Sequence, residues 1–249
     1  MARATHKGAA PFTPFRKPTT MSRFFIIALA AVSFTACAPR VIQLPSLTTP
    51  PVTADFEQGL NARTKLFDYE IPEVKYAVQK TQGVSIKTPW GSSLGKSKQQ
   101  QQRSFIVKRG SNPELGVDCE TLQQTAKMGW KDFSKHTYTC GGAGFSLVVD
   151  EPKRQVFSGT VKLGEVELEL ESTDKMASGA PMRPSGFHIR RNGRWIASFE
   201  YYQFGKAYLD AGLTAEERDA VLTTMVSIQS TNHWLARSID QNQSNPYGS

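Results

Sequence analysis

Histidine and cysteine are scarce in this chain, whose 249 residues include four histidines and three cysteines. His136, His188 and His233 have no second histidine or carboxylate at the spacing that zinc ligands take, and no His-Glu-x-x-His motif occurs. Two cysteines without a nearby pair of histidines also supply too few ligands for zinc. The sequence therefore predicts no metal site, and we expect no other cofactor.

The N-terminal part of the chain lacks an apolar run long enough to cross a bilayer, which takes roughly 20 residues. The run at residues 24–36 has about 13 uncharged, mostly apolar residues, which matches the core of a secretory signal peptide. Arg23 precedes this run and Ala36 ends it. We therefore expect residues 1–36 to be a signal peptide. Either its basic leading region is unusually long or translation starts at Met21, and the second alternative is favoured because the signal is complete from Met21.

The residues that end this run, Phe34-Thr35-Ala36-Cys37, resemble the lipobox of bacterial lipoproteins, with Phe34 where that family usually carries an aliphatic residue. The resemblance implies that Cys37 is acylated on its sulfur, becomes the new N-terminus and anchors the chain in a membrane. In enterobacterial members of this family, an aspartate after the cysteine retains the protein in the inner membrane. Ala38 therefore implies the periplasmic side of the bacterial outer membrane.

Acidic residues are absent from positions 1–36, and their absence there inflates the apparent charge of the chain. The full sequence has 30 Lys plus Arg against 22 Asp plus Glu, a formal net charge of +8. Five of the basic residues lie before Cys37, so the processed chain has 25 against 22, or +3. A nearly balanced chain gives no reason to expect nucleic acid as a partner.

Lipidation of Cys37 leaves Cys119 and Cys140, an even pair in an exported chain. We expect these two cysteines to form a disulfide. It would close a loop of about 21 residues and stabilise the fold by about 3 kcal/mol.

Composition divides the rest of the chain into three segments. Residues 37–54 carry four prolines and should form the lipid anchor and an extended tether. Residues 55–238 should form a single periplasmic α+β domain, and residues 239–249 a disordered tail. Many short alternating stretches predict a curved antiparallel sheet of short strands, with a C-terminal helix packed on one face.

Two short motifs predict specific local structures. Asn192-Gly193 lies between alternating apolar stretches and is typical of a type I′ β-hairpin turn. Thr214 and Glu217 have the spacing of a helix capping box and precede the apolar residues of the C-terminal helix.

Two polar segments are expected outside the sheet. Residues 91–103, with four consecutive glutamines, should be a loop that is too poor in apolar residues to pack. Asp118 should cap a short helix with Cys119, Leu122 and Ala126 on one face.

The segment Gly91-Ser92-Ser93-Leu94-Gly95 matches the G-x-S-x-G pattern of a serine nucleophile. That motif needs a buried strand and a helix of a parallel sheet around it, whereas this chain predicts an antiparallel sheet. A flexible polar loop explains the match, so we assign no catalytic residue.

Charged residues concentrate on two strands of the second half. An acidic row on one strand is explained by a solvated sheet face, or alternatively by the docking of a cationic partner. A basic cluster at the hairpin is explained by a solvated tip, or by a site for lipopolysaccharide phosphate or an acidic envelope protein. The acidic row is Glu165, Glu167, Glu169 and Glu171, and the basic cluster is Arg183, Arg190, Arg191 and Arg194.

Two further segments, Tyr138-Thr139-Cys140 and 177–180, resemble motifs of lipoprotein inhibitors of C-type lysozyme. The resemblance implies that Ser178 enters the cleft of the enzyme. No Arg-Tyr pair follows residue 180, and the hairpin carries arginines where that family has lysine.

These observations favour a non-enzymatic lipoprotein that binds an envelope component or assists envelope assembly. Inhibition of lysozyme or another hydrolase is the alternative, and a serine hydrolase built on Ser93 is the third hypothesis. The candidate partner-binding residues are Ser178, Arg183, Arg190, Arg191 and Arg194.

Overall fold

A computed structural model describes most of the chain from Ile42 to Ser230. The described ranges are 42–59, 63–77, 79–90, 93–129, 131–153, 156–175, 181–201 and 205–230. Cys37, Ser178 and His233 lie outside them, and only the backbone of Arg183 is described. No helix within these ranges has both the length and the apolar character needed to cross a bilayer.

Within the described ranges, fifteen antiparallel strands form one continuous sheet, which is followed by a helix. The strands are β1 Pro51–Asp55, β2 Glu57–Gln58, β3 Thr64–Leu66, β4 Tyr69–Ile71, β5 Val74–Tyr76, β6 Lys80–Lys87, β7 Ser93–Arg109, β8 Asn112–Gly129, β9 Lys131–Gly142, β10 Phe145–Lys153, β11 Val156–Leu163, β12 Val166–Lys175, β13 Pro181–Arg191, β14 Arg194–Glu200 and β15 Lys206–Asp210, and the helix is α1 Ala215–Gln229.

The sheet curls until its two ends nearly meet. β1 pairs with β15 at one end of the strand order, and β2 pairs with β3 at the other. Only Phe56 separates β1 from β2, so one short segment borders both ends. Phe56 is buried, and its N–H donates a hydrogen bond to the carbonyl oxygen of Gly205. The antiparallel sheet that the sequence predicts is therefore confirmed, in a nearly closed, barrel-like form.

The C-terminal helix is enclosed by this sheet. Every residue from Ala220 to Ser230 is buried, including Thr223, Thr224 and Ser227. The helix contacts β3, β4 and β7 as well as β11 and β12, which are far apart in the strand order. The predicted curved sheet with a C-terminal helix is therefore confirmed, but the sheet curves around the helix and is more barrel-like than the sequence predicts.

The start of the helix is capped as predicted. The backbone N–H of Glu217 donates to Thr214 Oγ1 over 3.2 Å, and the N–H of Thr214 donates to Glu217 Oε2 over 2.9 Å. Arg191 Nη1 lies 2.7 Å from the other carboxylate oxygen of Glu217. Burial by itself would raise the pKa of Glu217, but the hydrogen bonds from Thr214 and Arg191 outweigh it and lower that pKa.

Two other local predictions are confirmed. Cys119 and Cys140 form a disulfide, and they face each other directly across β8 and β9. Asn192 and Gly193 both have positive φ, at 50° and 77°, in the turn between β13 and β14. Positive φ at both central positions is what a type I′ turn requires.

The two segments predicted to lie outside the sheet belong to long strands instead. Residues 93–103 are part of β7, and Asp118 and Cys119 are part of β8. The loop prediction is wrong because β6 and β8 pair with the glutamine run on either side, which satisfies its backbone without apolar side chains. The short helix is wrong because burial around Cys119 follows the strand period of two, at Leu115, Val117, Cys119 and Thr121.

The sheet domain begins before residue 55. Ile42 is 1% exposed, and its N–H donates to Glu200 Oε1 over 3.4 Å. Thr49 donates a hydrogen bond to Asp210, and all five residues of β1 pair with β15. The stretch from Ile42, which was expected to belong to the tether, is therefore part of the domain.

Candidate functional site: an exposed lysine-rich ribbon

Four strands continue beyond the core as an exposed ribbon. We define the ribbon as β6 together with residues 93–101 of β7, 121–129 of β8 and 131–136 of β9. β6 pairs with β7, β7 with β8 and β8 with β9 throughout this region. All eight residues of β6 are exposed. The ribbon is therefore an extension of the sheet beyond the interior that the helix fills.

The core ends where the disulfide lies. Phe105, Val117 and Cys119 are buried, but beyond Arg103 the strand β7 has only polar residues until Leu94. The backbone N–H and C=O groups of adjacent antiparallel strands hydrogen-bond to each other. The strands therefore stay paired even where no core lies beneath them. The ribbon is thus held by main-chain hydrogen bonds and by the disulfide at its base.

One face of the ribbon is organised in rows that cross the strands, since directly paired residues of an antiparallel ladder share a face. The row nearest the end of the ribbon joins Ile86, Leu94 and Met128, and Met128 pairs in turn with Lys131. The next row joins Val84, Lys96, Ala126 and Phe133, and the third joins Gln82, Lys98, Gln124 and Lys135. Successive rows lie about 6.7 Å apart. From the first row to the third, the face thus changes from mostly apolar to entirely polar with two lysines, over about 13 Å.

These apolar side chains are open to solvent. The exposed fractions are 70% for Val84, 64% for Ile86, 45% for Leu94 and 69% for Met128. Together with lysines of the second and third rows they line a groove of about 1020 Å³. Single exposed apolar residues are ordinary, but a contiguous set on one face is typical of an interaction surface.

The turn between β6 and β7 carries the most exposed aromatic side chain on this surface. Trp90 is 88% exposed and follows Pro89 in that turn. Close packing of β6 on β7 depends on Gly95, because a Cβ added there would lie 2.8 Å from the carbonyl oxygen of Val84. Gly95 therefore allows the first two rows to form a continuous face.

The ribbon is strongly basic. Its strands and the β6–β7 turn contain seven lysines, one acidic residue and no arginine. The acidic residue, Asp132, pairs with Lys127 between β8 and β9, at a register position between the first two rows. The lysines are Lys80, Lys87, Lys96, Lys98, Lys127, Lys131 and Lys135.

Buried polar side chains close the base of the ribbon. His136 Nδ1 lies 2.5 Å from Glu151 Oε2, and both side chains are buried. Arg103 is also buried; its Nη2 donates to Gln101 Oε1, and its guanidinium lies 5.4 Å from the ring centroid of Tyr76. This layer separates the apolar core from the solvated ribbon.

The basic cluster predicted at the Asn-Gly hairpin is only partly free to meet a partner. Arg190 lies 3.4 Å from both Glu169 and Glu171, and its guanidinium stacks on Trp195 at 4.7 Å. Arg191 pairs with Glu217, whereas Arg194 is exposed. Ser178 and the side chain of Arg183 lie outside the described residues. Their role in partner binding stays a prediction.

The remaining candidates are placed as follows. Glu167, Glu169 and Glu171 are exposed on β12, as expected for a solvated sheet face. Ser93 begins β7 and pairs with Lys87 and Gly129 in the antiparallel ribbon. This is not the strand–turn–helix of a nucleophile elbow.

No protein family model matches the chain, and no curated protein or solved structure is significantly similar to it. The function therefore has to be inferred from the geometry of the chain itself.

Proposed function

We propose that this chain is a lipid-anchored lipoprotein of the bacterial outer membrane that acts by binding an envelope component, and that the ribbon is its binding surface. One observation carries the proposal: a contiguous set of exposed apolar side chains lies beside lysines on one face of the ribbon. Leaving such a surface in water is unfavourable, so a partner that covers it gains the free energy of burial.

A binding role is also consistent with how the rest of the chain is built. The barrel-like sheet is filled by its own helix, so the large interior of the fold is occupied. The ribbon projects away from that filled core and carries the groove. The domain therefore carries the ribbon as an exposed extension of its sheet.

The lipid anchor rests on the lipobox resemblance at Cys37. The anchor would hold the domain at the periplasmic side of the membrane, where the ribbon meets other envelope components. Inhibition of lysozyme depends on Ser178, and no contact among the described residues favours it.

Two experiments test the two parts of this proposal. For anchoring, Cys37→Ser should move the protein from the membrane fraction to the soluble fraction. For binding, a photoreactive amino acid at Ile86 should crosslink to an envelope component in intact cells. The matched control is the same amino acid at Val148, which is 38% exposed on β10. Equal crosslinking at the two positions, or none at Ile86, would reject the ribbon as the binding surface.

A further inference from the structure

We infer that the ribbon docks onto the surface of a bilayer that contains anionic phospholipid, with Ile86, Leu94 and Met128 in the acyl region and Lys98 and Lys135 at the level of the phosphates. This inference rests on the proposed binding role of the ribbon and names the component that it binds. It is independent of the lipid anchor, because it concerns side chains of the domain alone.

The order of the three rows fits a membrane interface. The row that joins the apolar residues Ile86, Leu94 and Met128 to Lys131 comes first, and the row that holds Lys98 and Lys135 comes last. Amphipathic helices that lie at a membrane interface bury their apolar face about 5–10 Å into the boundary between headgroups and acyl chains, and we take the same depth for the apolar side chains of the ribbon. With about 13 Å between the first and third rows, insertion of the apolar row leaves these lysines among the headgroups.

The position of Trp90 agrees with the same orientation. Its indole is 88% exposed, in the turn that precedes the apolar row. Tryptophan is enriched at membrane–water interfaces, where its ring is apolar and its N–H reaches water or headgroups. An indole that is nearly free of intramolecular contact gains such an environment on docking.

The use of lysine and not arginine argues against a protein as the partner. Protein interfaces are enriched in arginine and depleted in lysine. The ribbon carries seven lysines and no arginine, although the whole chain has 30 Lys plus Arg, including the paired Arg190 and Arg191 on β13. Lysine can lay its alkyl stem on apolar groups while its ammonium stays at an anionic surface. Charge complementarity therefore favours anionic headgroups.

The test is binding to lipid vesicles by the unit Arg40–Ser249, which contains every described strand and the helix and lacks the lipid anchor. The vesicles contain phosphatidylglycerol and phosphatidylcholine, or phosphatidylcholine alone. We expect binding to the anionic vesicles to be at least about tenfold tighter than to the neutral ones, and to weaken in about 0.5 M salt.

Two sets of variants locate the contact. Lys96→Gln, Lys98→Gln and Lys135→Gln together should lower binding to anionic vesicles by at least about tenfold. Val84→Thr with Ile86→Thr should also lower binding, while it keeps β-branched residues in the strand. The matched controls carry Lys108→Gln, Lys162→Gln and Lys206→Gln, or Val148→Thr with Val156→Thr, all at exposed positions outside the ribbon. Circular dichroism and the unfolding midpoint verify that each variant is folded.

The outcomes separate this inference from the proposed function. Ribbon variants that bind like the wild type, equal binding to neutral vesicles, or no vesicle binding at all would overturn the inference. If vesicles are not bound but Ile86 crosslinks to an envelope protein in cells, the docking inference fails and the binding role of the ribbon stands. If neither occurs, both fail.

Discussion

The phenol oxygen of Tyr138 lies 3.3 Å from the main-chain carbonyl oxygen of Ser227, and it donates a hydrogen bond across the interior from β9 to the helix. The same hydroxyl lies 3.2 Å from Cys119 Sγ of the disulfide. Burial raises the pKa of Tyr138, and the nearby charge of Arg103 acts in the opposite sense. One side chain thus connects the helix, the disulfide and the base of the ribbon.

Replacing Tyr138 should therefore weaken the whole fold. Tyr138→Phe removes this donor, and the carbonyl of Ser227 keeps the hydrogen bond from Ser230 Oγ, so the loss of one buried hydrogen bond should cost about 1 kcal/mol. Urea unfolding at neutral pH measures this loss. Tyr208→Phe, which removes a hydrogen bond to Glu200 at the other side of the sheet, is a comparison at a second buried hydroxyl. An unchanged midpoint for Tyr138→Phe would show that its hydroxyl does not support the helix.

A valine at Gly95 should disrupt the ribbon and spare the core. The added side chain would collide with the backbone of β6 at Val84, so β6 should separate from β7. Hydrogen exchange in residues 80–87 should then become faster, while the global free energy of unfolding changes by less than about 1 kcal/mol because no core residue is touched. Gly141→Val is the control, since a Cβ at Gly141 meets nothing within 4 Å. Equal exchange in the two variants would contradict the close approach at Gly95.

The pH dependence of stability should contain a contribution from His188. Burial lowers the pKa of His188 from 6.5 to about 4, and its Nδ1 lies 2.9 Å from Ser198 Oγ. Between these pH values the unfolded chain binds a proton that the folded chain excludes, so stability is complete above pH 6.5 and falls as the pH is lowered toward 4. His188→Asn should flatten this decline in urea midpoints measured from pH 7 to pH 4. The same slope in wild type and variant would exclude His188 as its source.

A second pH effect should come from Glu217 and occur in a more acidic range. The pKa of Glu217 is held below its usual 4.5, so its contribution is present above that pH and is lost as the pH falls through the lowered value. Glu217→Gln should cost about 1 kcal/mol at pH 7, because it removes the ion pair with Arg191 and a negative charge at the helix start. At a pH below the lowered pKa of Glu217, the variant and the wild type should be equally stable. A cost that is the same at both pH values would contradict this assignment.

Local signals in the sequence were sufficient where the interaction is short-range. The Asn192-Gly193 turn, the Thr214–Glu217 capping box and the Cys119–Cys140 pair were all predicted from neighbouring residues or from simple pairing. The enclosure of the helix could not be predicted this way, because it depends on how far the sheet curls. One sign of it lies in the composition of the helix. Thr223, Thr224 and Ser227 are small and uncharged although they lie on the side that a surface helix would expose to water, and all three are buried.

The sequence predicts a loop where β7 enters the ribbon, because the run of glutamines there lacks apolar residues. Apolar residues are a reliable sign of a strand only where a core lies beneath the sheet, and residues 93–101 lie beyond the core. The sequence signal that indicates a strand is the alternation of the long residues Leu94, Lys96 and Lys98 with the small residues Gly95 and Ser97. It becomes meaningful only when β6 and β8 are known to lie on either side.

Lysine footprinting in intact envelopes tests the central claim most directly, because it compares the ribbon with the rest of the surface in one sample. A lysine-reactive reagent is applied to the protein in envelopes and to the purified protein, and mass spectrometry gives the labelling rate of each lysine. We predict that Lys96, Lys98 and Lys135 react several-fold more slowly in envelopes, while the exposed Lys108, Lys162 and Lys206 react at the same rate in both. Equal rates for the ribbon lysines in the two samples would contradict the proposal that the ribbon is the binding surface.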